Sequence, residues 1–214
     1  MVKRYFLDEA MSKLLIASNN QGKLLEIKAL LGDMDVELLT PVQLHINIEV
    51  DEVGKTYAEN AALKGRAFAR ASGLLTLADD TGLEVDAFNG LPGLRSARFA
   101  PQSDATDADR RAYLLARLQG MPRPWLARFR CTVAIVAPSG KARFTEGVCE
   151  GEITPQERGG HGFGYDSIFM ISGLNRTMAE LSMDEKNRLS HRARAVRAAR
   201  PILEDLLSSD PSKK

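Results

Sequence analysis

Residues 74–99 read LLTLADDTGLEVDAFNGLPGLRSARF. Leu74 to Ala78 is an apolar run of the length of one buried strand. Asp79 and Asp80 follow, then Thr81-Gly82. Beyond them the pattern alternates, with Leu83, Val85 and Ala87 on one face and Glu84 and Asp86 on the other. The expectation is a strand that ends at the acidic pair, with strand-like alternation resuming after it. Adjacent carboxylates at a strand end repel each other and resist desolvation. Two readings are open on this stretch alone. One is a solvated turn, since Asp, Thr and Gly are ordinary turn residues. The other is a divalent-cation site, for which Mg²⁺ is suited because it takes hard oxygen ligands, commonly one or two carboxylates plus substrate phosphates.

Outward from this stretch, strands and helices alternate. Upstream, Lys13 to Ala17 reads as a short buried strand and Leu24 to Leu31 as a helix stopped by Gly32. Val36 to Leu39 is a second short strand, and Asn47 to Gly54 is an acidic loop with Glu49, Asp51 and Glu52. Thr56 to Ser72 is a helix, with Thr56 and Glu59 as a capping box and Gly73 as its stop. Downstream, a helix spans Asp107 to Leu118, and Arg128–Ala137 with Lys141–Cys149 form a hairpin around Pro138-Ser139-Gly140. Ile153 is read as opening a short extra strand, and Ile168 to Ile171 as a brief one. Ser182 and Glu185 form a second capping box. The last helix starts at Ser190 and contains Pro201, which is expected to kink it. The fold class that follows is α/β, a mixed sheet with flanking helices.

A chain of 214 residues with net charge +1 has no global electrostatic mark of a nucleic-acid or membrane binder. No apolar run is long enough to span a bilayer, and Asp8 and Glu9 fall where a signal peptide needs its apolar region. Cys131 and Cys149 have no metal-ligand spacing, which fits a reduced, cytoplasmic protein. Residues 1–11 are read as an N-terminal extension, 12–207 as one domain and 208–214 as a disordered tail.

Three further elements carry chemistry. Ser18-Asn19-Asn20-Gln21-Gly22-Lys23 joins the first strand to the first helix. Outward-pointing amides, a helix N-terminus and Lys23 make a phosphate cradle in physical terms. It is not a Walker loop, because the first glycine is missing and Leu24 replaces the metal-binding Ser or Thr. The plain alternative is a strand-to-helix turn with a solvated lysine. In Gly162-Phe163-Gly164-Tyr165-Asp166, glycines around aromatics let a flat ligand approach the backbone. Phe163 or Tyr165 could stack on a base, with Asp166 accepting a ring N–H or orienting a partner. The alternative is a hairpin-type loop with a buried Phe. Finally, with Lys186 just upstream, the His191-Arg192 pair falls in a first helical turn, against the dipole rule, which points to an anion or a carbonyl-rich ligand nearby. A merely basic helix face is the alternative.

The segments SNNQGKLLE, ENAALKGRA, ADDTGLEVDAF, GFGYD and LSMDEKNRLSHR occur in this order over most of the chain. Together they resemble the inosine triphosphate pyrophosphatase family. The resemblance implies an elongated α/β fold of two lobes around an active-site cleft, a homodimer, and Mg²⁺-dependent cleavage of XTP, ITP and dITP to monophosphate and pyrophosphate. It implies that Ser18 to Lys23 bind the triphosphate and that Asp80 is general base and metal ligand, with Asp79 close by. Glu52, or its neighbour Asp51, is the second metal ligand by the same resemblance, and Thr81 touches the substrate. Phe163, Gly164, Tyr165 and Asp166 hold base and sugar, and Lys186, His191 and Arg192 complete the contacts. Lys64 and Arg98 match family positions. Ser167 departs from the family's usual proline and is expected to loosen the loop. Two other classes remain. A nucleotide-binding regulator would not need both Asp79 and Asp80. A nucleic-acid module using the Arg-rich last helix would call for a basic domain with more than 6% aromatics. Within enzymes, the alternative is a pyrophosphatase acting on modified pyrimidine nucleotides.

Overall fold

A computed structural model describes residues 11–208. The expectations for residues 1–10 and 209–214 lie outside the described residues. Seven strands form one mixed sheet: β1 (Lys13–Ile16), β2 (Glu37–Leu39), β3 (Leu75–Val85), β4 (Pro92–Gly93), β5 (Trp125–Val136), β6 (Ala142–Ile153) and β7 (Phe169–Ile171). Their order is β2-β1-β3-β5-β6-β7, with β4 pairing β3 off this path. β1 is parallel to β2 and β3, and the remaining pairs are antiparallel. Five helices flank the sheet: α1 (Gln21–Leu31), α2 (Tyr57–Ser72), α3 (Asp107–Leu118), α4 (Met183–Leu189) and α5 (His191–Ser208).

The acidic pair does not end a strand. β3 runs unbroken through Asp79-Asp80-Thr81-Gly82 because β5 pairs with it from Thr76 to Val85, Asp79 opposite Val133 and Asp80 opposite Thr132. Ile153 closes β6 and opens no new strand. At the start of α2, Thr56 accepts from the Glu59 N–H as expected, but the Glu59 carboxylate accepts from the Lys55 N–H rather than completing the box. The Ser182–Glu185 box is complete, and Gly73 stops α2 in the left-handed conformation. α5 continues through Pro201 to Ser208.

Two cores lie at the two ends of the long strands. One packs β1, the first half of β3 and the second half of β5 against α1 and α5, through Leu14, Ile27, Leu77, Val133 and Val196. The other gathers Leu83, Val85, Leu114, Phe129, Ile153 and Phe169 under α3 and β7. These are the two lobes. α5 reaches the sheet because Gly147 of β6 has no side chain: a Cβ there would lie 2.1 Å from the His191 carbonyl. That close approach places His191 and Arg192 under the junction between the lobes.

Candidate active site

β1 pairs with β3 only as far as Ile16 and Leu77. Past that point β1 turns away into the loop before α1, and the side of β3 it leaves open becomes a cleft of about 560 Å³. Ligands in open α/β sheets sit in this kind of crevice, beyond the carboxyl end of a strand. Successive side chains of a strand point to opposite faces. Asp79 and Asp80 are therefore neighbours in sequence with separate surroundings.

Asp79 faces α1 and α5. Its Oδ2 lies 3.0 Å from Lys23 Nζ and accepts from Arg192 Nε at 3.2 Å and Thr81 Oγ1 at 3.1 Å. Burial works against its charge, but Lys23, Arg192 and Lys64 outweigh it and hold the carboxyl well below the usual range. Asp79 is sealed away from the cleft wall. Asp80 faces α2 and lines the cleft. Its Oδ2 accepts from Asn60 Nδ2 at 3.0 Å and its Oδ1 from the Thr81 N–H at 2.8 Å. Burial, and then the Glu52 carboxylate, push its pKa up.

Asn20 caps α1, its Oδ1 accepting from the Lys23 N–H at 3.0 Å. Ser18, Asn19, Asn20 and Lys23 line the cleft. Gln21 does not line it, and Gly22 borders a second cavity of about 300 Å³ on the far side of Phe163. The Phe163 ring lies directly on Gly22, where a Cβ would come within 2.4 Å of Cδ1. Lys186 Nζ and the Arg192 guanidinium carbon stand 5.1 and 5.6 Å from the ring centroid.

A residue that the sequence reading passed over ties these parts together. Glu26 of α1 is 2% exposed and pairs with both Arg192 Nη1 and Lys186 Nζ, the latter at 2.6 Å. Lys186 also reaches Asp166 Oδ2 at 2.6 Å, and that oxygen accepts from the Phe163 N–H at 3.0 Å. Burial opposes the charge on Glu26, but Arg192 and Lys186 hold its pKa low. The only sequence signal was an acid on the face that Leu24, Ile27 and Leu30 bury. The anion implied by cations at the start of α5 is thus supplied by the protein, as Glu26 and Asp79. Arg192 is 1% exposed and directs Nη2 at Thr81 Oγ1, 3.4 Å away. The His191 pKa is driven well down by burial and then by Arg192 and Lys186, and its ring stacks on Phe129 at 4.6 Å between centroids.

Across the cleft, Glu52 Oε1 pairs with Lys64 Nζ at 2.9 Å, and Asp51 and Arg98 also line the wall. Tyr165 lines the cleft too, but its ring belongs to the second core and its hydroxyl donates to the Ser96 carbonyl at 2.9 Å, so Phe163 is the aromatic face available for stacking. Gly164, Asp166, Thr81, His191 and Arg192 complete the wall, whereas Lys186 sits behind Phe163. The Ser167 hydroxyl donates to Glu157 Oε2 at 2.8 Å, so the loop after Asp166 is tied and not loosened.

The donor set fits a hard divalent ion. Glu52 and Asp80 present carboxylate oxygens close enough to raise the pKa of Asp80, and a cation between them would relieve that repulsion. Among the described residues no group of three or more His, Cys, Asp or Glu side chains could hold a metal. An ion here would therefore draw remaining ligands from phosphate and water, which is the habit of Mg²⁺.

Comparison with known proteins matches the Ham1 family to residues 14–202. The dITP/XTP pyrophosphatase of Desulforamulus reducens is 44% identical over 197 residues, covering 91% of this chain and 96% of that protein. The dITP/XTP pyrophosphatase of Frankia alni is 42% identical over 204 residues, covering 92% and 100%. Among solved structures, a HAM1 protein from Coxiella burnetii superposes with a TM-score of 0.82 at 37% identity, covering 91% of this chain and 100% of that one.

Proposed function

The chain belongs to the Ham1 family, and from that membership and the cleft we propose that it hydrolyses XTP, ITP and dITP to the monophosphate and pyrophosphate. One observation carries the reading. A single cleft brings together Ser18, Asn19, Asn20 and Lys23, the Glu52 and Asp80 carboxylates and the Phe163 loop. The biological sense is removal of deaminated purines from the nucleotide pool.

In this reading Ser18, Asn19, Asn20 and Lys23 grip the triphosphate through amides and one full charge. Glu52 and Asp80 hold Mg²⁺, which when bound neutralises phosphate charge and makes water more acidic. Asp80, which faces the cleft, accepts the proton of the attacking water. Asp79 orients Lys23 and Arg192 through Oδ2 and takes no proton, because its side chain is fully buried and does not line the cleft. Attack at the phosphorus next to the sugar releases pyrophosphate, with Lys23 and Lys64 stabilising charge on the leaving group. The base stacks on Phe163, backed by Lys186 and Arg192. Donors from Arg192, His191 and the loop amides favour the keto oxygens of hypoxanthine and xanthine over the amines of adenine and guanine.

The family resemblance adds a homodimer, consistent with the Pro/Gly-rich segment 89–102 and half-exposed Leu91. The free Cys131 and Cys149 favour a reduced, cytoplasmic setting, and no helix among the described residues is long and apolar enough to cross a membrane. The test is incubation with Mg²⁺ and ITP, XTP, ATP or GTP, reading products by chromatography. The expected result is monophosphate plus pyrophosphate, with ITP and XTP exceeding ATP and GTP in kcat/KM by at least about 10²-fold. Inorganic phosphate as the first product, or equal use of GTP, would overturn the reading.

A further inference from the structure

Gly164 sits at the centre of the Phe163 loop with φ 62°, and no atom lies within 4 Å of where its Cβ would be. It has no side chain to pack, so its position is set by its backbone hydrogen bonds. Both go to one helix. The Gly164 N–H donates to Asp107 Oδ2 at 2.7 Å, and the Gly164 carbonyl accepts from Arg111 Nη1 at 2.8 Å. Residues four apart share a helix face, so the first two turns of α3 offer an anionic acceptor and a cationic donor at the spacing of one peptide residue. Both bonds are charge-assisted, the stronger kind.

The helix is a firm base for this grip. Leu114 and Leu118 are fully buried in the second core, and Thr106 with Asp109 forms a complete capping box. Arg111 is itself steered. Its Nη2 lies 3.0 Å from Glu157 Oε2, the same oxygen that accepts from the Ser167 hydroxyl just beyond the loop. The neighbouring residues have different anchors: Phe163 rests on Gly22 and Tyr165 bonds to the Ser96 carbonyl. Gly164 alone depends on α3.

We infer that Asp107 and Arg111 are positioning residues for purine choice: by clasping the Gly164 peptide they fix the plane and height of Phe163 against the incoming base. The inference rests on the function proposed above. It predicts that cutting either bond lets the Gly164 peptide turn and disturbs base recognition, while the Lys23 cradle and the Asp80 carboxylate, anchored to α1 and β3, keep their places.

The test is steady-state kinetics on ITP and GTP for the full chain and for Arg111→Ala, Asp107→Ala and Asp107→Asn, with a thermal melt of each. Each alanine variant is expected to raise KM for ITP about tenfold, the loss of one charge-assisted hydrogen bond. Each is also expected to narrow the ITP-over-GTP ratio by about the same factor, with kcat within about threefold. Asp107→Asn keeps an amide oxygen for the Gly164 N–H and is expected to recover most of KM and of the ratio. If an alanine variant fails to fold, Arg111→Gln, which keeps the packed stem and loses the charged fork, reads the same quantities. Unchanged KM and ratio in folded variants would overturn the inference, as would a fall in kcat alone or an Asn variant no better than Ala. Absence of ITP cleavage by the unaltered chain would instead overturn the functional reading on which it rests.

Discussion

Asp79→Asn and Asp80→Asn change adjacent residues by the same single atom, and the structure assigns them opposite outcomes. The Asp79 side chain is fully buried and meets Lys23 at 3.0 Å and Arg192 at 3.2 Å. Removing one partner of a buried ion pair costs about 3–5 kcal/mol, because the other charge is left uncompensated. Lys23 is 17% exposed and can recover some hydration, and Arg192 keeps Glu26. The lower end of that range, about 3 kcal/mol, is therefore expected. At about 2–4 °C per kcal/mol for a chain of this size, the melting temperature falls by about 6–12 °C. Asp80 is different: burial and Glu52 disfavour its charge, and asparagine keeps one of its two acceptor contacts, from Asn60 or from the Thr81 N–H. Stability is expected within about 1 kcal/mol of the unaltered chain, while turnover of ITP drops by about 10² or more. Thermal melts and pyrophosphate release, measured on both variants side by side, decide the matter. If Asp79→Asn melts with the unaltered chain, the buried cations do not depend on it. An Asp80→Asn variant that keeps normal turnover would remove Asp80 from the chemistry.

Glu26 gives a pH-dependent prediction. Its folded pKa lies below its ordinary 4.5, so the stability it supplies is complete above about pH 4.5 and is lost as pH falls through the folded value. Urea unfolding between pH 7 and 3 is expected to show Glu26→Gln well below the unaltered chain at neutrality, with the gap closing under acid; a gap independent of pH would refute the ion-network account. The two thiols are expected to be inert in the folded protein, since burial pushes Cys131 up to about 12 and Cys149 up to about 11. Labelling with a thiol-disulfide reagent at pH 8 should be negligible until denaturant is added, and rapid labelling of the native chain would contradict their burial.

What the sequence determined by itself is what short-range physics controls. The Ser182–Glu185 box, the left-handed stop at Gly73 and the cap of Thr56 each involve groups a few residues apart, so their partners are written beside them. The turn from Ser18 to Lys23 stood out for the same reason, although Gln21 and Gly22 do not line the cleft, and five ordered motifs together carried the family. Only the tertiary structure decided what the acidic pair does. On its own residues Asp79-Asp80 leaves a solvated turn and a cation site open, but β5 holds β3 extended across it, and the pleat then sends one carboxylate to Lys23 and Arg192 and the other to the cleft. Glu26 was hidden for a related reason. Its partners lie 160 and 166 positions along the chain, and a buried charge is tolerable only when those distant cations arrive to compensate it. Local sequence can specify a cap or a turn; the ionisation and exposure of a carboxylate depend on everything that folds against it.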